Sequence, residues 1–74
     1  MWKEGSISVC GQIYHYWAKV YDAPGKYGIN GGRVSKLTVK TDGKTVINYD
    51  RGWDIRPGTQ EENAVLWIIL NSHN

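Results

Sequence analysis

The chain has 74 residues, 41% of them hydrophobic and 22% charged, which is enough for one domain (residues 1–74) and too few for two. Its formal net charge of +2 is too small to imply a nucleic-acid partner on its own, and its single cysteine, Cys10, rules out an internal disulfide. A lone cysteine, an N-terminus (Met1-Trp2-Lys3-Glu4-Gly5) without an apolar run, and a longest apolar run of only Ala64–Leu70 predict a cytoplasmic protein with no signal peptide and no membrane partner.

In chain order, the first element is a strand over Gly5–Cys10, in which Ile7 and Val9 alternate onto one side. Gly11 or Gln12 turns the chain into a long strand over Gln12–Asp22, rich in β-branched and aromatic residues. Period-two alternation puts Ile7, Val9, Tyr14, Tyr16, Ala18 and Val20 on one face of this hairpin. Cys10, Ile13, His15, Trp17, Lys19 and Tyr21 fall on the other. Both faces are partly apolar, so the alternation does not say which one a helix covers.

Ala23–Gly32 is a loop punctuated by Pro24-Gly25, Gly28 and Asn30-Gly31-Gly32. A second hairpin follows, Arg33–Lys40 and Lys44–Asp50, joined by Asp42-Gly43, a strong signal for a type I′ turn. An unbroken ladder from that turn sets Val39 opposite Val46, Leu37 opposite Asn48 and Ser35 opposite Asp50. On the other face it pairs Thr38 with Ile47, Lys36 with Tyr49 and Val34 with Arg51, so that Lys36 and Tyr49 form a cation–π contact. Arg51–Gly58 is a second loop holding Trp53. Thr59-Gln60-Glu61-Glu62 is a capping box that starts a helix running through the apolar Ala64–Leu70 segment; a closing strand there is the alternative. The predicted fold is α+β, a four-stranded antiparallel sheet of two hairpins with one C-terminal helix packed on it.

Among the motifs, Gly28-Ile29-Asn30-Gly31-Gly32-Arg33 has the glycine density of a phosphate cradle. A phosphate loop opens a helix, whereas these glycines lead into a strand, so the expectation is a loop that needs unusual backbone angles or close approach. Asp50 and Asp54 sit in the dense Asn48–Ile55 segment and invite an acid–base reading. A latch is the better expectation: Asp50 accepts hydrogen bonds from Ser35, Arg33 or loop N–H groups, and Trp53 seals one end of a thin core. Cys10, His15 and His73 are the only soft metal ligands. Zinc is the one cofactor they suggest, and a carboxylate or a second subunit would have to complete its shell of four. Their spacing matches no standard zinc motif, and ordinary surface and helix-end roles are favoured. No catalytic constellation emerges, so an enzyme is not expected.

The aromatic content is distinctive. Four Trp and five Tyr accompany no Phe, so every Trp and Tyr ring carries a polar handle suited to half-buried surfaces and interfaces. Lys36, Thr38, Lys40, Ile47, Tyr49 and Arg51 make one basic, aromatic sheet face, which either docks on a protein or stacks bases along a phosphate backbone.

Two strings, Tyr27-Gly28-Ile29-Asn30-Gly31-Gly32-Arg33-Val34-Ser35-Lys36-Leu37 and Asn48-Tyr49-Asp50-Arg51-Gly52-Trp53-Asp54, resemble a family of small proteins from phages and integrated mobile elements of Gram-positive bacteria. The resemblance spans about Lys19 to Pro57. It implies an inhibitor of host defence, most specifically an anti-CRISPR protein that blocks a type II CRISPR nuclease by steric occlusion. The expected contacts are Trp17, Tyr21, Lys36, Lys40, Tyr49 and Arg51. A small nucleic-acid-binding protein using the same face is the alternative. Apolar side chains all round the helix also predict a homodimer.

Overall fold

The computed structural model describes all residues, Met1–Asn74. Five antiparallel strands, β1 (Trp2–Val9), β2 (Gln12–Val20), β3 (Val34–Thr41), β4 (Lys44–Asp50) and β5 (Trp53–Ile55), form one sheet in sequential order. A single helix, α1 (Gln60–His73), crosses one face of it. The fold class is therefore the α+β arrangement expected, with one strand more. The segment predicted as a loop around Trp53 pairs with β4, Tyr49 opposite Trp53 and Asn48 opposite Ile55. Three residues are too short a run for alternation to reveal a strand.

The turns follow from their residues. Cys10-Gly11 joins β1 to β2 with φ of 52° and 79°, and Asp42-Gly43 joins β3 to β4 with 51° and 74°. Positive φ at both central positions is the type I′ hairpin geometry, whose twist matches that of the flanking strands. The first turn is thus one residue earlier than expected, with Cys10 inside it.

The helix covers the face bearing Tyr14, Tyr16, Ala18 and Val20, where Ile7 pairs with Tyr14 and Ala18 with Leu37. Val65 and Ile69 are the helix residues fully buried against it, with Leu66 and Leu70 packed at their flanks. Each such side chain removed from water contributes about 1.5–3 kcal/mol. At the helix N-terminus the Glu62 N–H donates to Thr59 Oγ1 at 3.0 Å, and Glu62 Oε1 accepts from the Gly58 N–H at 2.7 Å, closing the capping box one residue further back than usual.

The second hairpin departs from the unbroken ladder. Thr41 faces Lys44 and Lys40 faces Thr45, as the turn dictates, but a bulge then shifts the register by one. Val39 faces Ile47, Leu37 faces Tyr49 and Thr38 faces Asn48. The expected pairs Val39–Val46, Leu37–Asn48, Thr38–Ile47 and Lys36–Tyr49 are therefore replaced. Without the bulge, Asn48 would enter the core while Ile47 and Tyr49 faced water. With it, Val46, Ile47 and Tyr49 are all buried and Asn48 faces out. Losing one ladder hydrogen bond costs about 1 kcal/mol, less than the burial it permits.

The glycine loop packs against its surroundings. A 3-10 turn at Ile29–Gly31 carries Asn30 at φ 55° and buries Ile29. The Asn74 side chain accepts from the Val34 N–H at 3.0 Å and donates to the Ile29 carbonyl at 2.9 Å. Gly32 lies directly beneath that amide, and Gly28 lies against the Gly32 carbonyl, so neither position has room for a Cβ. Close backbone approach, as expected for this motif, is its structural role.

Candidate functional site

The face of the sheet opposite α1 is left uncovered. Strand pairing arranges its side chains in three rows. Trp2, Lys19, Lys36 and Asp50 make the first; Glu4, Trp17, Thr38, Asn48 and Ile55 the second; Ser6, His15, Lys40 and Thr45 the third. Trp2 is 60% exposed and Trp17 is half-buried. These two rings, with Lys3, Glu4, Thr38 and Lys40, line a concavity of about 490 Å³.

The floor around Trp17 is tied together by polar groups. Thr38 Oγ1 donates to Asn48 Oδ1 at 2.9 Å, and Asn48 Nδ2 donates to Asp54 Oδ2 at 2.9 Å. His15 Nδ1 and Ser6 Oγ are hydrogen-bonded at 2.9 Å. Lys36 Nζ lies 3.7 Å from Asp50 Oδ1, and Arg51 Nε lies 3.8 Å from the same oxygen. These pairs are largely solvated, so they fix position more than they stabilise. The bases are arranged against the interest of the sheet. Lys19 stands directly across from Lys36, and His15 across from Lys40. Like charges directly opposite one another, as in the Lys19–Lys36 pair, destabilise a strand pair.

Of the expected contact residues, Trp17, Lys36 and Lys40 come together on this face. Tyr21 lies one residue past the end of β2, half exposed, with Lys19 Nζ 5.4 Å from its ring centre. Arg51 lies at the rim, in the turn before β5, with φ 56° and its N–H bonded to the Ser35 carbonyl at 3.0 Å. Tyr49 does not belong. It is 7% exposed, lies in the core, packs edge-on against Trp53 at 5.1 Å, and donates from its hydroxyl to the Tyr27 carbonyl at 2.8 Å. The register shift moves it to the covered side, and Ile47 with it. The cation–π contact of Lys36 with Tyr49 is replaced by the ion pair with Asp50.

Trp2 and Lys19 are the residues of this face that were not singled out. Pairing back across the Cys10-Gly11 turn reaches Trp2 opposite Lys19. Starting the first strand at Gly5 hid the tryptophan. Gly5 itself belongs inside the strand, because a Cβ there would come within 2.8 Å of the Tyr16 ring.

The latch is present in altered form. Trp53 packs on the core edge through Tyr49, and Asp50 is held by Lys36 and Arg51 rather than by Ser35 or Arg33. Ser35 is buried at the β2–β3 bulge, and its hydroxyl has no partner. Asp54 accepts from Asn48 and lies apart from the Asp50 ion pairs.

The soft ligands are dispersed. Cys10 is exposed in the first turn and His15 is on the open face. His73 is on the helix side, bonded through Nε2 to Tyr16 Oη at 2.9 Å. No three His, Cys, Asp or Glu groups converge where a metal ion would sit. Partial burial, followed by the nearby charges of Lys3 and Arg33, lowers the His73 pKa. Tyr14, buried beneath the first helical turn, has its hydroxyl pKa raised by desolvation and then by Glu61 and Glu62.

The architecture is that of a small α+β domain: an antiparallel meander with a helix on one face and a basic, tryptophan-bearing surface on the other. Over residues 1–74 the chain matches the family described as a domain of unknown function (DUF7678), and it belongs to that family. No curated protein and no solved structure matches it. No helix is long and apolar enough to cross a membrane.

Proposed function

We propose that this protein is a binding module without catalytic activity that inhibits a host defence enzyme by covering part of its surface with the open sheet face. The observation that carries this reading is the uncovered face itself. It presents Trp2 and Trp17 amid Lys19, Lys36 and Lys40, with like charges held opposite one another. Exposed tryptophans are the residues most enriched at binding hot spots, and lysines around them steer an acidic partner onto the face. The resemblance of the Tyr27–Leu37 and Asn48–Asp54 strings to mobile-element proteins makes a type II CRISPR nuclease the most specific target. The mechanism is steric, with Trp17 and Trp2 as anchors, Lys19, Lys36 and Lys40 pairing with target carboxylates, and Tyr21 and Arg51 at the rim. Adding the protein to a guide-loaded type II nuclease is expected to stop DNA cleavage at a near-stoichiometric ratio, and Trp17→Ala is expected to restore it. Full cleavage at large excess would remove that nuclease as the target.

One observation favours a second reading. Trp2 and Trp17 occupy diagonal positions on neighbouring strands, about 7–8 Å apart at their Cα atoms, beside the cationic rows. Such a pair suits stacking of two unpaired bases with lysines on the backbone. It predicts tryptophan quenching by a single-stranded oligonucleotide at low salt, weakening steeply as salt rises. Unchanged fluorescence at low salt would end it.

A further inference from the structure

The outer surface of α1 is as unusual as the open sheet face, and it differs in kind. From Asn63 to Asn74 the chain carries no Asp, Glu, Lys or Arg, although 22% of its residues are charged. In the middle of this stretch Trp67 is 67% exposed, and Ile68 beside it is 40% exposed. Asn63 and Asn71 lie four residues before and after Trp67, and both are exposed. The three side chains therefore form one i±4 row along the outward side of the helix, with Ala64 and Ile68 forming the neighbouring row.

This row is symmetric about Trp67, with an amide on each side of an indole. In a twofold interface residue i of one copy meets residue j of the other while j meets i, so the two ends of the row must complement each other. A row with an amide at each end meets that condition. An amide is both donor and acceptor and so complements a copy of itself. Asn63 already donates to the Thr59 carbonyl at 2.9 Å, leaving its Oδ1 free to accept. In an antiparallel crossing centred on Trp67, Asn71 of a second copy lies alongside Asn63. Rows of the i±4 kind interdigitate in the commonest class of helix crossing, near −50°. The groove beside small Ala64 then receives the indole of the second copy.

We propose that a second copy of this chain covers this face, through antiparallel packing of two α1 helices about Trp67. The helix lies on the opposite side of the sheet from the lysine- and tryptophan-bearing face, so the dimer turns two open faces outward. A partner that presents two sites within reach of both faces is then bound with avidity. A contact made by one helix per copy belongs to the small class of interfaces, below roughly 1,200 Å², so a weak, concentration-dependent dimer is expected.

Sedimentation velocity on the full chain from low to high micromolar concentration tests the proposal. The expected result is a shift from one to two chains with concentration. Trp67→Glu should stay monomeric with an unchanged far-UV spectrum, while Trp17→Glu on the open face should dimerise like the parent. In a Cys10→Ser background, mixing Asn63→Cys and Asn71→Cys copies under oxidation should give the mixed disulfide in preference to either like-with-like product. A monomer at every concentration, a dimer dissolved by Trp17→Glu but not by Trp67→Glu, or a preference for like-with-like disulfides would each overturn it.

Discussion

The two faces of the sheet are made by the same strands and obey opposite rules. On the covered face, Ala18, Leu37, Val39 and Ile47 are sealed beneath Val65 and Ile69. On the open face, lysines stand opposite a lysine and a histidine, and two tryptophans meet water. One face is arranged to hold the fold, and the other is arranged at some cost to it. The repulsion is offset only in part, by the Lys36–Asp50 ion pair and by the Tyr21 ring 5.4 Å from Lys19 Nζ.

Substitutions separate the two faces by size and sign. Ile69→Ala, which empties the centre of the covered layer, should cost about 2–5 kcal/mol in equilibrium urea unfolding. A chain of 74 residues has a total stability on the order of 4–11 kcal/mol, so that loss is a large fraction of it. Gly28→Ala, whose new methyl would meet the Gly32 carbonyl, should cost about 3 kcal/mol by the same measurement. A loss under about 1 kcal/mol would mean that the loop yields and is not a packed part of the fold. Tyr49→Phe removes the bond to the Tyr27 carbonyl and should cost about 1–2 kcal/mol while leaving any open-face binding intact. A loss of binding with unchanged stability would put Tyr49 back in the interface.

His73 gives the covered side a pH signature. Its folded pKa lies below its ordinary 6.5, so the unfolded chain takes up the proton first. Its contribution to stability is complete above about pH 6.5 and is lost as pH falls from there to the folded value. Unfolding midpoints measured across that window should decline with acidity, and His73→Gln should remove that part of the slope. The smallest effect has the opposite sign. Lys19→Glu replaces a repulsion across from Lys36 with an attraction and should stabilise by about 0.2–1 kcal/mol while abolishing partner binding. Stabilisation with binding intact would show that the lysine rows are not the contact surface.

The position of each aromatic explains why the candidate site was only partly legible. Trp17, Lys36 and Lys40 share a face by simple alternation, and counting by twos finds them. Tyr49 lies beyond the bulge, where counting by twos gives the wrong side. The adjacent apolar pair Val46-Ile47, which breaks alternation, was the available sign of that bulge. Trp2 was missed for a different reason: Gly5 resembles a strand boundary, and only the Tyr16 ring packed over it shows why a glycine stands in mid-strand.

The sequence by itself determined what is local. Turn residues, alternation within a strand and the capping box are set by backbone sterics and near-neighbour hydrogen bonds, and so the Asp42-Gly43 turn, the first hairpin's two faces and the start of α1 were all readable. Tertiary structure alone decided which face the helix covers, where the second hairpin slips by one residue, and that Trp53–Ile55 closes the sheet as a fifth strand. Each of those outcomes depends on how much apolar surface distant segments bury together, a sum over the whole chain that no local pattern contains.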